Sequence, residues 1–194
     1  DGACADLLHG YGTVTALSEP ASDYPFDATA DSVAVAPASG YTVDLSLTDD
    51  TYICEIFDYD EWAAGTTGDI AVTGVRVNVD SDATHHVLAY TIPVGTEQDD
   101  SITGDQYDCT DGMFGGTGDT IPVGLLGGWV PGSDGAGYPE GSGIPIEPGT
   151  QLLIQNHFHG HGESSFTDYG EVELSIASQD AIDQEGEMLS LIHI

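Results

Sequence analysis

The chain has 194 residues, with 34 Asp and Glu against a single basic side chain, Arg76, for a formal net charge of −33. That balance lacks the basic footprint nucleic acid requires and repels anionic membranes. No apolar run reaches the roughly 20 residues needed to span a bilayer, so neither nucleic acid nor a membrane is expected as a partner. The length suffices for one well-buried domain of the large all-β kind, and the acidity reads as a solvated surface of the type found in saline environments. Calcium is the weaker reading, because no Asp-x-Asp-x-Asp-Gly loop with a closing Glu is present.

In chain order, residues 1–40 are rich in Ala, Ser, Asp and Pro and read as an irregular acidic lead-in. His9 stands alone there and is left out of any site. Residues 41–47 alternate with period two, as a half-buried strand does. Thr48, Asp49 and Asp50 read as a turn, residues 52–57 as the next strand, and residues 65–68 as another turn. Residues 70–79 alternate until Thr73-Gly74, where the register shifts; a glycine at such a shift predicts a β-bulge. Asp80-Ser81-Asp82 then turns the chain into the stretch Thr84-His85-His86-Val87-Leu88, which ends at Pro93-Val94-Gly95. Residues 95–143 are dominated by Gly, Asp, Thr and Pro and read as long loops with a few short strands. Residues 151–158 and 171–177 are strands, and no helical periodicity of useful length appears. Short strands punctuated by Gly and Pro predict an antiparallel β-sandwich or jelly roll.

Both ends read as cut, so the natural protein is expected to continue beyond them. Asp1 is not a Met, and Leu189-Ser190-Leu191-Ile192-His193-Ile194 resembles a translated transposon end from sequencing libraries. The competing reading is the first strand of a following domain, and His193 is left out of the site on either reading. The domains expected are thus the lead-in at 1–40, the sandwich at 41–180 and a truncated tail at 181–194. Of the three cysteines, Cys4, Cys54 and Cys109, none makes a Cys-x-x-Cys pair, which argues against a thiolate zinc or redox site. One bridge and one leftover is the natural count in an exported protein. Cys54 and Cys109, which flank the His-His stretch, are the pair taken here, leaving Cys4.

The histidines carry the chemistry. Five of the seven fall in two short stretches, His85-His86 and His157-Phe158-His159-Gly160-His161. Successive residues of a regular strand point to opposite faces, so His85 and His86 share a metal only where the strand is distorted. His157 and His159 lie on one face. Neutral imidazoles without a thiolate suit copper or zinc, and ligand type alone does not choose between them.

A rival pattern runs through the second stretch. His157-x-His159, Glu163 and Gly170 fit much of the first cupin signature, although Gln151 stands where that signature has glycine. A cupin-like mononuclear metal enzyme would gather His157, His159 and Glu163. A third class is a non-catalytic exported binding module.

Taken together, Thr48-Asp49-Asp50-Thr51-Tyr52-Ile53-Cys54, Thr84-His85-His86-Val87-Leu88, Cys109, Gly128-Trp129-Val130-Pro131-Gly132 and Leu153-Ile154-Gln155-Asn156-His157-Phe158 form an ordered set. In that order they resemble the first catalytic domain of the copper type II, ascorbate-dependent monooxygenases. This is the family of peptidylglycine α-hydroxylating monooxygenase and dopamine β-monooxygenase, and its bacterial exported members look most alike. The family order is a Tyr-x-Cys strand, a His-His pair, a second Cys, a Gly-Trp-x-Pro-Gly loop and a Gln-x-His-Tyr strand. The resemblance covers about residues 41–177.

It implies an antiparallel sandwich in which His85, His86 and His157 hold one electron-transfer copper and Cys54 pairs with Cys109. The copper would be reduced by ascorbate or a similar reductant. A second, C-terminal catalytic domain, which this sequence lacks, would carry the copper that hydroxylates a C–H bond of a small-molecule or peptide substrate. The chain alone is expected to bind copper and to hydroxylate nothing. The resemblance also implies export to the periplasm or beyond. Phe158 replaces the family's Tyr. His159 and His161 are additions, read here as a solvated loop and otherwise as extra ligands. Trp129 and Pro131 read as a rigid loop packing the sandwich edge.

Overall fold

Apolar residues at period two, many of them β-branched or aromatic, favour pleated strands that bury one face. The computed structural model describes residues 24–45, 50–96, 106–113, 123–133, 135–160 and 165–185. Its strands are β1 (Ser32–Val35), β2 (Tyr41–Asp44), β3 (Asp50–Phe57), β4 (Ile70–Asn78), β5 (Thr84–Ile92), β6 (Tyr107–Asp108) and β7 (Gly124–Trp129). They continue with β8 (Ala136–Gly137), β9 (Ser142–Ile146), β10 (Gln151–His159), β11 (Ser165–Asp168), β12 (Glu171–Ser178) and β13 (Gln184–Glu185). One helical turn, α1 (Tyr59–Trp62), follows β3, and a 3₁₀ turn (Gln179–Ala181) follows β12.

The architecture is an all-β sandwich. One sheet runs β1-β12-β4-β9-β13, with β8 also on β4; the other runs β6-β3-β10-β5-β7; β2 and β11 form a small third sheet. Pairings are antiparallel except that of β9 with β13. The main core lies between the large sheets, where Val72, Val75, Val172 and Leu174 of the first meet Val87, Ala89, Leu152 and Ile154 of the second. Trp62 of α1 closes one end of it, 2 % exposed, its indole N–H donating to the Thr150 carbonyl at 2.9 Å. The second sheet also buries its outer face. There Cys54, Ile56, Tyr90, Ile92, Cys109 and Leu153 form a separate cluster, a consequence of strands apolar on both sides. A third cluster, Tyr41, Val43, Leu45, Ile53 and Phe158, lies under the small sheet, with Phe166 against it. A tyrosine hydroxyl at the fully buried Phe158 would need a polar partner among these side chains.

The bulge expected at Thr73-Gly74 is present: β12 pairs Ser175 with Gly74 and Ile176 with Val72, so Thr73 is the extra residue. Gly74 gives room at this point, since a Cβ there would press on the Ala136 carbonyl oxygen at 3.0 Å and that backbone would have to give by a few tenths of an ångström.

Several boundaries differ from expectation. The lead-in is not irregular throughout, because Ser32–Val35 pairs with β12 as an edge strand. Its alternation is too short to stand out from the Ala- and Ser-rich sequence around it. Asp50 belongs to β3 rather than to a turn. Of the strand expected over 41–47, Tyr41–Asp44 is strand and Leu45 is not, while Ser46 and Leu47 lie outside the described residues. β9 and β11 lie in stretches not expected to be strands, and β9 carries Pro145. β13 extends the first sheet beyond residue 180, so part of the stretch taken as a tail belongs to the sandwich. Cys4, His9, His161, Glu163 and residues 189–194 lie outside the described residues.

Candidate metal centre

The site sits on the outer face of the second sheet, where β3, β10 and β5 run side by side. In β10 the odd-numbered residues face outward: Leu153 enters the outer cluster, while Leu152 and Ile154 enter the inter-sheet core. His157 continues that outward series. In β5 the outward residues are the even ones, with Leu88, Tyr90 and Ile92 in the outer cluster and Val87 and Ala89 in the core. His86 therefore faces outward beside His157, with which it pairs in register.

His85 would point inward on a regular strand, but the strand is bulged here. β10 pairs His157 with His86 and Phe158 with Thr84, so His85 is the extra residue. Thr84 takes the buried inward place, its hydroxyl 3.4 Å from the Asp168 carboxylate. The bulge turns His85 onto the face of His86. This is the distortion that a shared site demands.

The three rings converge. Nδ1 of His86 lies 3.3 Å from Nδ1 of His85 and 3.1 Å from Nδ1 of His157. One nitrogen from each of the three residues lies within 4.8 Å of the others, and no other such group of three or more potential ligands occurs among the described residues. Metal–imidazole bonds of about 2.0 Å set tetrahedral ligand atoms about 3.3 Å apart, close to the two Nδ1 separations at His86. Three imidazoles without a thiolate fit copper and zinc alike. His157 is buried, His86 half-buried and His85 exposed, so the centre opens to solvent on the His85 side.

The surroundings orient the rings. Tyr52 stacks on His157 with ring centroids 4.1 Å apart and planes 5° from parallel, and meets His86 edge-on at 5.9 Å. Asp50 Oδ1 accepts from His157 Nε2 at 2.8 Å and from His159 Nδ1 at 3.0 Å. Neither Asp50 nor Tyr52 stands out in the sequence as a site residue. The available signal was spacing: the two are two residues apart on β3 and so share a face, and the observed register sets them opposite His159 and His157 of β10.

Burial, with the neighbouring His157 and His85 rings adding to it, pushes the His86 pKa down to about 4. Burial also lowers His157, against the opposing pull of Asp50. Below the ordinary histidine value the unfolded chain then binds protons that the folded chain refuses, so folding stability falls as pH falls. The metal-free protein is therefore expected to lose thermal stability between pH 6.5 and about 4. The His86→Ala, His157→Ala double variant should lose less over that window, as melting curves at half-unit pH steps would show.

The sequence-derived ligands His85, His86 and His157 come together. His159 ends β10, not a loop, and turns its Nδ1 to Asp50 rather than to the three-nitrogen cluster. Trp129 ends β7, pairs with Val87 and packs against the inter-sheet core. Cys54 and Cys109 form a disulfide.

Fold and site together define an all-β sandwich whose outer sheet face carries three histidines able to hold a metal ion. No protein-family model matches the chain and no curated protein is significantly similar to it.

Proposed function

We propose that the chain is the electron-transfer copper domain of a copper-dependent monooxygenase. The observation that carries this reading is the bulge at His85, which places two adjacent histidines of one strand and a third from its neighbour on one face. Copper bound there would cycle between Cu(II) and Cu(I), taking electrons from ascorbate or a similar reductant to support C–H hydroxylation at a second copper on another domain. The protein's own contributions are separable. Low proton affinity at His86 and His157 keeps their nitrogens free to ligate. Tyr52 braces one ring, and exposed His85 leaves the centre open to a small reductant.

The buried disulfide suits an oxidising compartment, and no helix among the described residues is long and apolar enough to cross a membrane. The disulfide supports export. The cupin-like alternative would centre on His157, His159 and Glu163; of these, His157 joins the three-nitrogen cluster while His159 is turned to Asp50.

The reading is tested by titrating the purified chain with Cu(II) and then adding ascorbate anaerobically. One bound copper per chain, reduced on addition and reoxidised in air, is expected. Absence of stoichiometric copper would leave a binding module without this activity.

A further inference from the structure

We infer that Asp50 is a positioning residue of the metal centre, setting which nitrogen of His157 faces the cluster and holding His159 away from it. This rests on the reading of His85, His86 and His157 as a metal site. A neutral imidazole carries one N–H, and its other nitrogen carries the lone pair a metal needs. An ionised carboxylate only accepts hydrogen bonds. With Asp50 Oδ1 2.8 Å from His157 Nε2, the proton belongs on Nε2 and the lone pair on Nδ1. That is the nitrogen lying 3.1 Å from His86 Nδ1.

The ring of His157 is thus held on three sides: Tyr52 over its face, Asp50 at Nε2 and His86 at Nδ1. The same Asp50 oxygen also takes His159 Nδ1 at 3.0 Å. His159 thereby commits to the carboxylate the same atom type that His85 and His157 present to His86. A chain with 34 acidic residues will place carboxylates near many side chains. What distinguishes Asp50 is the convergence of two imidazoles from one strand on a single oxygen. It is not a ligand in its own right, because it sits on the Nε2 edge of His157 while the cluster sits on the Nδ1 edge. Outer partners of this kind typically account for about 10–100-fold in metal affinity.

The test uses the whole chain and two readouts. In the metal-free protein, long-range proton–nitrogen correlation spectra report the His157 tautomer. The wild type should show Nε2–H, while Asp50→Ala and Asp50→Asn should show a mixed or reversed tautomer and Asp50→Glu should restore it in part. In Cu(II) titrations, Asp50→Ala and Asp50→Asn should weaken binding by about 10–100-fold, with an altered electron paramagnetic resonance spectrum. His159→Ala should leave the His157 tautomer unchanged. An Asp50→Ala protein that keeps the Nε2–H tautomer overturns the inference, whatever its copper affinity, and so does an Asp50→Ala or Asp50→Asn protein whose affinity and spectrum match the wild type. Failure of the wild type to bind copper would instead sink the copper reading, while the metal-free tautomer would still decide the role of Asp50. Should Asp50→Ala not fold, the Asn and Glu variants carry the comparison.

Discussion

Removing the Cys54–Cys109 bridge, as the Cys54→Ala, Cys109→Ala double variant, is expected to lower the thermal midpoint of the metal-free domain by about 10 °C. The bridge joins residues 55 apart in sequence. Opening a loop of that length returns about 4 kcal/mol of chain entropy to the unfolded state, and about 2–4 °C per kcal/mol is usual for a chain of this size. Packing adds to the effect. Cys54 is fully buried, Cys109 is 2 % exposed, and both lie in the cluster covering the outer face of the second sheet. The Cys109 backbone N–H also donates to the Tyr52 carbonyl at 2.9 Å, so the bridge fixes β6 beside the residue that stacks on His157. A loss of copper affinity should therefore accompany the loss of stability. Calorimetry decides the matter, and a midpoint within about 2 °C of the wild type would show that the sandwich stands without its bridge.

His157→Ala is expected to weaken copper binding by more than about 100-fold, since loss of an outer partner alone typically costs about 10–100-fold. His157 is the most buried of the three ligands, lies on the central strand of its sheet, and is stacked against Tyr52. Its removal leaves only the adjacent pair His85-His86. The exposed His85 should matter less than His157, and a competition titration of His85→Ala, His86→Ala and His157→Ala would rank them. Equal affinities across the three variants would contradict a site built around the buried ring.

The sandwich was legible because its long strands alternate or are apolar throughout. The bulge at Thr73-Gly74 was legible because a glycine marks the point where the alternation breaks. The short strands were not legible: Ser32–Val35, Ser165–Asp168 and Gln184–Glu185 offer four residues or fewer, and Ser142–Ile146 contains a proline. Such segments become strands by pairing with longer neighbours rather than through a pattern of their own.

At the site, adjacency of His85 and His86 gave the requirement for a distortion, and the structure supplies it as a bulge against His157 and Phe158. The choice of His157 over His159 as their neighbour came from the resemblance, because period two places both on one face. Asp50 escaped notice for a different reason. Its role depends on cross-strand register, with His159 opposite it and His157 two residues back, and register is not written in either strand alone.

The most direct test of the central claim is continuous-wave and pulsed electron paramagnetic resonance of the chain with one equivalent of Cu(II), repeated on His86→Ala and Glu163→Ala. One type-2 copper with couplings from several imidazole nitrogens, lost in His86→Ala and unchanged in Glu163→Ala, is the predicted result. Copper that survives loss of His86 but requires Glu163 would contradict it and place the metal in a cupin-like site instead.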